Sequence, residues 1–171
     1  MEKRVKRKQL AVLVEDSPGV LTHVSGLISR RGYNIESIAA SKTEKDNVTR
    51  ISLVVQVTDD WQLEQIMAQI EKLVQVYRVV HLSKAGSMSR ELALVKIKSS
   101  DELRQEIMSV VEVFHGHIID FNAASMVIEV TNDSRKIDSF CDIMQKYGII
   151  EIIRTGEISL SVEPISFTEF I

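Results

Sequence analysis

Residues 9–15 (QLAVLVE) predict a strand, with Leu10, Val12 and Val14 on one alternation and Ala11 and Leu13 on the other. The spacing then turns helical. Val20, Leu21, Val24, Leu27 and Ile28 form one apolar stripe. Ser17 is placed to cap that helix, Pro18 suits its first position and Gly32 its end. Tyr33 to Thr43 reads as a second strand, Lys45-Asp46-Asn47 as a turn, and Arg50 to Val57 as a third strand with Ile51, Leu53, Val55 and Val57 on one face. Asp59 or Asp60 caps a second helix, whose stripe is Leu63, Ile66, Met67, Ile70, Leu73 and Val74. Val76 to Leu82 closes the unit as a fourth strand.

The order is βαββαβ, and it repeats. Residues 83–89 (SKAGSMS) are small and polar and read as a linker. Glu91 to Lys98 is a strand, and Leu103, Ile107, Val110, Val111 and Phe114 mark a helix. His117 to Phe121 and Ser125 to Val130 are strands around a turn at Asn122. Ile137, Phe140, Cys141 and Met144 mark a helix capped by Asp133 or Ser134 and ended by Gly148, before a strand from Ile149 to Arg154. Gly156 to Ile171, with Pro164, is an extra strand and a loose tail. The expectation is an α+β chain of two ferredoxin-like units, residues 1–82 and 90–171, each an antiparallel sheet with helices on one face. Units of this size have marginal cores on their own. A first strand apolar on both faces asks for cover on both, and a second protomer is its natural source. A homodimer or larger assembly is therefore expected.

Composition narrows the function classes. The chain has 171 residues, 44% of them hydrophobic and 26% charged, which fits a folded globular protein. No apolar run approaches the roughly 18 residues of a membrane helix, and Leu10 to Val14 is too short for a signal peptide, so the expected location is cytoplasmic. The single cysteine, Cys141, excludes an internal disulfide. A net charge of −3 argues against a duplex-binding domain. Lys3, Arg4, Lys6, Arg7 and Lys8 form a basic N-terminal arm, read as solvated or as a contact for an acidic partner.

The chemistry concentrates at Asp16-Ser17-Pro18-Gly19-Val20-Leu21, where strand meets helix. A helix N-terminus offers unpaired N–H groups and partial positive charge, so it can hold a carboxylate. Gly19 leaves room for close approach. The residues alone favour a well-capped helix start after a turn, with no ligand.

This stretch resembles the signature of the ACT domain, in which Pro-Gly and an apolar pair open the first helix. Arg31-Gly32-Tyr33-Asn34-Ile35-Glu36-Ser37 and Thr49-Arg50-Ile51 resemble the small-subunit family of acetolactate synthase (acetohydroxyacid synthase). Arg90 to Lys96 and Phe114 to Asp120 resemble that family's C-terminal domain, so the resemblance spans nearly the whole chain. The longer basic arm departs from the pattern. The resemblance implies a regulatory subunit with no catalytic site, cofactor or metal of its own. It implies a catalytic large-subunit partner carrying thiamine diphosphate, magnesium and FAD, which condenses 2-keto acids toward valine, leucine and isoleucine. The small subunit activates that partner and confers feedback inhibition, usually by valine. The effector lies between two ACT domains, with the Pro-Gly turn of one protomer on its carboxylate and Asn34 of the other in contact. The implied effector residues are Asp16, Pro18, Gly19, Val20, Leu21, Asn34 and Ile35. Elementary chemistry agrees: N–H groups near Gly19 and Val20 suit a carboxylate, the Asn34 oxygen suits an ammonium, and Leu13, Val20 and Ile35 are candidates for an apolar wall.

Other signals carry less. His115 and His117 lack the further ligands a zinc or nickel site needs, with only Cys141 and Asp120 as remote candidates. His23 and His81 are isolated, and Cys141 lies on an apolar stripe beside Phe140 and Met144. No nucleophile–base pairing, P-loop or dinucleotide fingerprint is evident. An RNA-binding RRM shares the βαββαβ order but needs aromatics on its central strands, and Arg50 to Val57 has none. A stand-alone amino-acid sensor shares the first domain's logic and differs only in lacking the enzyme partner.

Overall fold

The computed structural model describes residues 5–83, 85–164 and 166–170. It divides the chain into two units: residues up to Met88 together with those from Ile158 onward, and Ser89–Glu157. The first unit contains β1 (Lys6–Glu15), α1 (Val20–Arg30), β2 (Asn34–Lys42), β3 (Val48–Val57), α2 (Asp60–Ile70) and β4 (Val76–Leu82). Its antiparallel sheet has the order β2-β3-β1-β4, as a ferredoxin-like unit requires. The second unit contains most of β5 (Ser87–Lys98), then α3 (Arg104–Val113), β6 (His117–Phe121), β7 (Ser125–Asn132), α4 (Ser134–Met144) and β8 (Ile149–Arg154), with sheet order β6-β7-β5-β8. Both expected ferredoxin-like units are present. Among the described residues, no helix is long and apolar enough to cross a membrane.

Strand phase decides what each sheet buries. Leu10, Val12 and Val14 of β1 pack with Ile51, Leu53, Val55 and Val57 of β3 under Val24 and Ile28 of α1 and Leu63, Ile66 and Ile70 of α2. In the second unit Ala93, Val95 and Ile97 of β5 and Met126, Ile128 and Val130 of β7 pack with Ile107, Val111, Ile137 and Phe140. The Phe114 and Phe140 rings meet edge-on, with centroids 5.3 Å apart.

Helix α1 ends as Gly32 demands: Gly32 N donates to Ser29 O (2.9 Å) and Tyr33 N to Ile28 O (3.3 Å), with Gly32 at φ +77°. Asp59 caps α2 by accepting from Gln62 N at 2.9 Å, while Gln62 Oε1 accepts from Thr58 N at 2.8 Å. Replacing Asp59 by alanine is expected to cost about 1 kcal/mol. In thermal unfolding that is a drop of about 4–8 °C for a unit this size; an unchanged midpoint would show that the cap contributes nothing. Asp133 caps α4 in the same way, accepting from Lys136 N at 3.1 Å.

Several expectations need correction. The first strand begins at Lys6, so part of the basic arm is strand: Arg7 pairs with Glu36 (2.7 Å) and Lys8 with Asp60 (2.8 Å). Lys3 and Arg4 lie outside the described residues, as does Lys84 of the linker; Ser87, Met88 and Ser89 of that linker belong to β5. Helix α2 stops at Ile70, which leaves Val74 94% exposed rather than on a buried stripe. In the segment after Gly156 the expected extra strand is present as β9 (Ile158–Ser161), whereas the stretch expected as a loose tail holds a 3₁₀ turn (Phe167–Phe170), and the segment groups with the first unit.

That segment also answers the question of the second apolar face of β1. Ala11 and Leu13 are fully buried within one chain. Ser159 Oγ donates to Gln9 Oε1 at 2.9 Å, Ser161 Oγ to Gly86 O at 3.4 Å, and Arg50 of β3 donates to Ser159 O. The chain's own C-terminal segment therefore supplies cover on this face, and β1's double apolarity does not by itself call for a dimer.

Candidate functional site

The turn between β1 and α1 is built by Pro18 and Gly19. Gly19 has φ 86° and ψ −10°, and Val20 N lies 3.5 Å from Ser17 O. Proline second and a left-handed glycine third is the pattern of a type II turn. Helix α1 starts only at Val20, with Gly19 O accepting its first bond from His23 N at 2.9 Å. Ser17 does not cap it, and Pro18 precedes the helix instead of opening it. The Ser17 hydroxyl turns to Glu15 Oε2 (3.3 Å) because the type II turn carries it away from the helix axis. The first turn of α1 has neither a side-chain cap nor an acidic residue, so beyond Val20 its N–H groups receive no side-chain cap. A Cβ on Gly19 would meet nothing within 4 Å, so the space above the turn is open.

Asp16 fixes this turn to the β2–β3 hairpin. Its N–H donates to Asn47 O at 2.8 Å, its Oδ1 accepts from Thr49 Oγ1 at 3.1 Å, and its Oδ2 lies 3.8 Å from Lys42 Nζ. Asn47 adopts the left-handed φ of 59° at the hairpin tip. Asp16 is thus a structural tie whose carboxylate already has partners.

The remaining expected residues divide. Leu21 is 44% exposed next to Gly19 and offers an apolar surface, whereas Val20 points into the core at 3%. Leu13 pairs with Arg50 on the sheet face away from the helices, so it lines no part of this turn. Asn34 and Ile35 lie at the other end of the sheet: Asn34 is opposite Gln56, which is opposite Arg7, nine positions before Asp16. At about 3.3 Å per residue that is about 30 Å. One protomer therefore does not bring Asn34 to its own Pro18-Gly19 turn. Asn34 is exposed and its Nδ2 donates to Gln56 Oε1 at 3.0 Å, which leaves its oxygen as the acceptor.

The histidine pair is separated by backbone conformation. His115 takes a left-handed φ of 54° just after α3, while His117 lies opposite Glu129 in the sheet. Among the described residues, no three His, Cys, Asp or Glu side chains gather as metal ligands would. Burial raises the pKa of the Cys141 thiol, as its apolar helix stripe implies.

Two clusters were not anticipated. Arg154 of β8 makes a two-pronged contact with the buried Glu91 carboxylate, at 2.9 and 2.6 Å, and reaches Asp138 at 2.7 Å. The signal was present in the sequence: Glu91 shares the core-facing phase of Ala93, Val95 and Ile97, where a lone charge requires a partner. The second cluster joins Glu44, Arg50, Ser166 and Thr168, and nothing local in the sequence links residues so far apart.

Comparison with known proteins follows the same division of the chain. Residues 10–78 match the family model "AHAS small subunit-like ACT domain", and residues 90–163 match "Small subunit of acetolactate synthase". A probable acetolactate synthase small subunit of Archaeoglobus fulgidus is 41% identical over 151 residues, covering 88% of this chain and 94% of that one. The acetolactate synthase small subunit of Mycolicibacterium smegmatis is 41% identical over 155 residues, 91% of each chain. The crystal structure of the small subunit from Thermotoga maritima superposes with a TM-score of 0.86 at 34% identity, covering 94% of this chain and 99% of that one. With both halves matched in order and nearly end to end, this chain belongs to the acetolactate synthase small-subunit family and carries that family's ACT domain.

Proposed function

We propose that this chain activates a catalytic large subunit of acetolactate synthase and makes it sensitive to a branched-chain amino acid, valine foremost. The large subunit carries the thiamine diphosphate, magnesium and FAD of the condensation of 2-keto acids. The observation that carries the effector reading is the uncapped start of α1 beneath an open glycine turn. Uncapped N–H groups there match the carboxylate of a zwitterion. Leu21 supplies apolar surface. Asp16 holds the turn in place and Pro18 sets its backbone.

The ammonium end needs a second copy. Strand β2 is an outer strand of its sheet, so one row of its backbone groups has no strand partner within the unit. If β2 pairs antiparallel with β2 of a second copy, the start of one strand lies beside the end of the other. That places a second copy's Asn34 and Ile35 near Lys42, which itself reaches Asp16 beside the turn. The Asn34 oxygen then faces the ammonium and Ile35 adds apolar surface. A homodimer assembled this way completes the site, which a single copy leaves 30 Å apart by about nine strand residues.

The test is acetolactate formation by the cognate large subunit, with and without this chain, each with and without valine. The expected result is a rise on adding the chain that valine reverses. A shift of tenfold needs only about 1.4 kcal/mol of coupling, within the ordinary range of allostery. A rise insensitive to valine, leucine and isoleucine would overturn the effector site. No change in any arm would overturn the subunit role and leave a free-standing sensor.

A further inference from the structure

The far face of the first sheet holds a cavity of about 270 Å³ under the C-terminal segment. Its Leu13 and Arg50 lie on the face away from α1 and α2, and Lys42, which also reaches Asp16 beside the Pro18-Gly19 turn, stands at its edge. Its volume is just below the range of drug-sized ligand sites, which suits a molecule of amino-acid size.

The charges in its wall are unusual. Arg50 is a half-buried guanidinium with no carboxylate within 4.0 Å among the described residues. Its contacts are the Ser159 carbonyl and the Phe167 ring, 5.8 Å away. Arginine cannot shed its proton, and a buried cation without an anion is costly. Burial accordingly pulls the Arg50 pKa down, while the charge of Glu44 opposes that shift from beyond direct contact. Glu44 is held by Thr168 and Ser166, and both hydroxyls donate to the same oxygen, Oε1. The other oxygen receives no side-chain donor among the described residues. Leu13, Leu160 and Phe167 supply apolar wall.

We propose that this cavity binds a free α-amino acid with an apolar side chain: Arg50 takes its carboxylate, Glu44 its ammonium, and Leu13, Leu160 and Phe167 its side chain. A zwitterion carries both charges on one carbon. It therefore fits between a cation and an anion that lie close but do not touch. A simple anion would satisfy Arg50 and repel Glu44. Occupancy would replace the missing anion of Arg50 and tie the C-terminal segment to the hairpin that also carries Lys42 and Thr49. The proposal stands whether or not the Pro18-Gly19 turn binds an effector.

Equilibrium dialysis of the full chain against radiolabelled L-valine tests it, with leucine as a second probe. Arg50→Met removes the cation but keeps the bulk. Leu160→Trp crowds the cavity from an exposed position, so it decides the matter if Arg50→Met does not fold by circular dichroism. If both sites bind, valine bound at saturation should fall by about half in each cavity variant and in Gly19→Asp, with the double variants binding almost none; if the turn binds none, each cavity variant alone should bind almost none and Gly19→Asp should bind as the parent. Isobutyrate, which lacks the ammonium, should compete about tenfold or more weakly than valine in Gly19→Asp, where only the cavity remains. Unchanged valine binding in a folded Leu160→Trp chain would overturn the proposal. So would isobutyrate competing as well as valine, because Glu44 would then have no role. Loss of binding in Gly19→Asp alone would support the turn and overturn the cavity, so the two readings fail separately.

Discussion

Arg154→Ala should destabilise the second unit by about 3–5 kcal/mol, the usual consequence of stranding a buried charge. Glu91 is only 5% exposed and its carboxylate accepts two guanidinium bonds. Removing Arg154 leaves that carboxylate without a cation, next to Ala93 and below the α4 helix that carries Ser134 and Asp138. The Asp138 contact contributes far less, because its side chain is 52% exposed and solvent screens it. Arg154 itself is one-third exposed, which places the expected value at the lower end of the range. Hydrogen bonds that Arg154 donates to Glu91 raise its pKa, so the guanidinium stays charged wherever the protein folds. The double variant Glu91→Leu with Arg154→Met should recover most of the loss, since a packed apolar pair often equals a buried ion pair. Urea unfolding followed by circular dichroism reads all three proteins. If Arg154→Ala lies within about 1 kcal/mol of the parent, the pair is an ordinary surface contact.

How much of this was legible in the sequence depends on the range of each interaction. Strand phases and helix stripes were legible because one local period decides which side chains face a core. Thus Leu10, Val12 and Val14 on one hand, and Ala93, Val95 and Ile97 on the other, are where their alternation put them. The Asp59 and Asp133 caps and the Gly32 stop were legible for the same reason. The start of α1 was misread, although Pro18 and Gly19 were seen, because Ser-Pro fits both a capped helix and a type II turn. The left-handed φ of Gly19 decides between them. Arg7 and Lys8 looked like part of a solvated arm because their partners, Glu36 and Asp60, are distant in sequence. The extra strand after Gly156 was legible, but the contacts of this segment were missed for a similar reason. Its serines and threonine are ordinary loop residues until Gln9, Glu44 and Arg50 lie opposite them. Of the candidate site, Pro18 and Gly19 were legible as residues of a strand-to-helix junction. The distance of Asn34 from them within one chain follows from strand register, which no local period shows, and only the family resemblance implied that Asn34 comes from the other protomer.

Gly19→Asp should abolish feedback by valine while leaving activation of the large subunit intact. Two effects act at this position and must be separated. The first is backbone strain: a left-handed φ of 86° disfavours any residue with a Cβ, by about 1–2 kcal/mol. Asp and Asn tolerate that region better than other residues, and the open space above Gly19 adds no clash. The second is charge. A carboxylate at Gly19 sits where the proposed site holds the ligand's own carboxylate. Like charges about 4 Å apart near a protein surface repel by about 4 kcal/mol, close to a thousandfold in affinity. Even half of that is about thirtyfold, which takes a millimolar effector out of its useful range. The new side chain would also cap α1 and occupy the N–H groups that the ligand needs. Gly19→Asn isolates the charge, since it has the same shape and similar strain but no repulsion. The expected order of valine sensitivity is parent, then Gly19→Asn, then Gly19→Asp with none measurable. Activation should stay near the parent value in all three, because a local turn substitution leaves the sheet and both helix stripes unchanged. Inhibition of Gly19→Asp at the parent's valine concentration would move the effector away from this turn. Equal loss in the Asn and Asp variants would assign the effect to backbone strain and overturn the carboxylate contact.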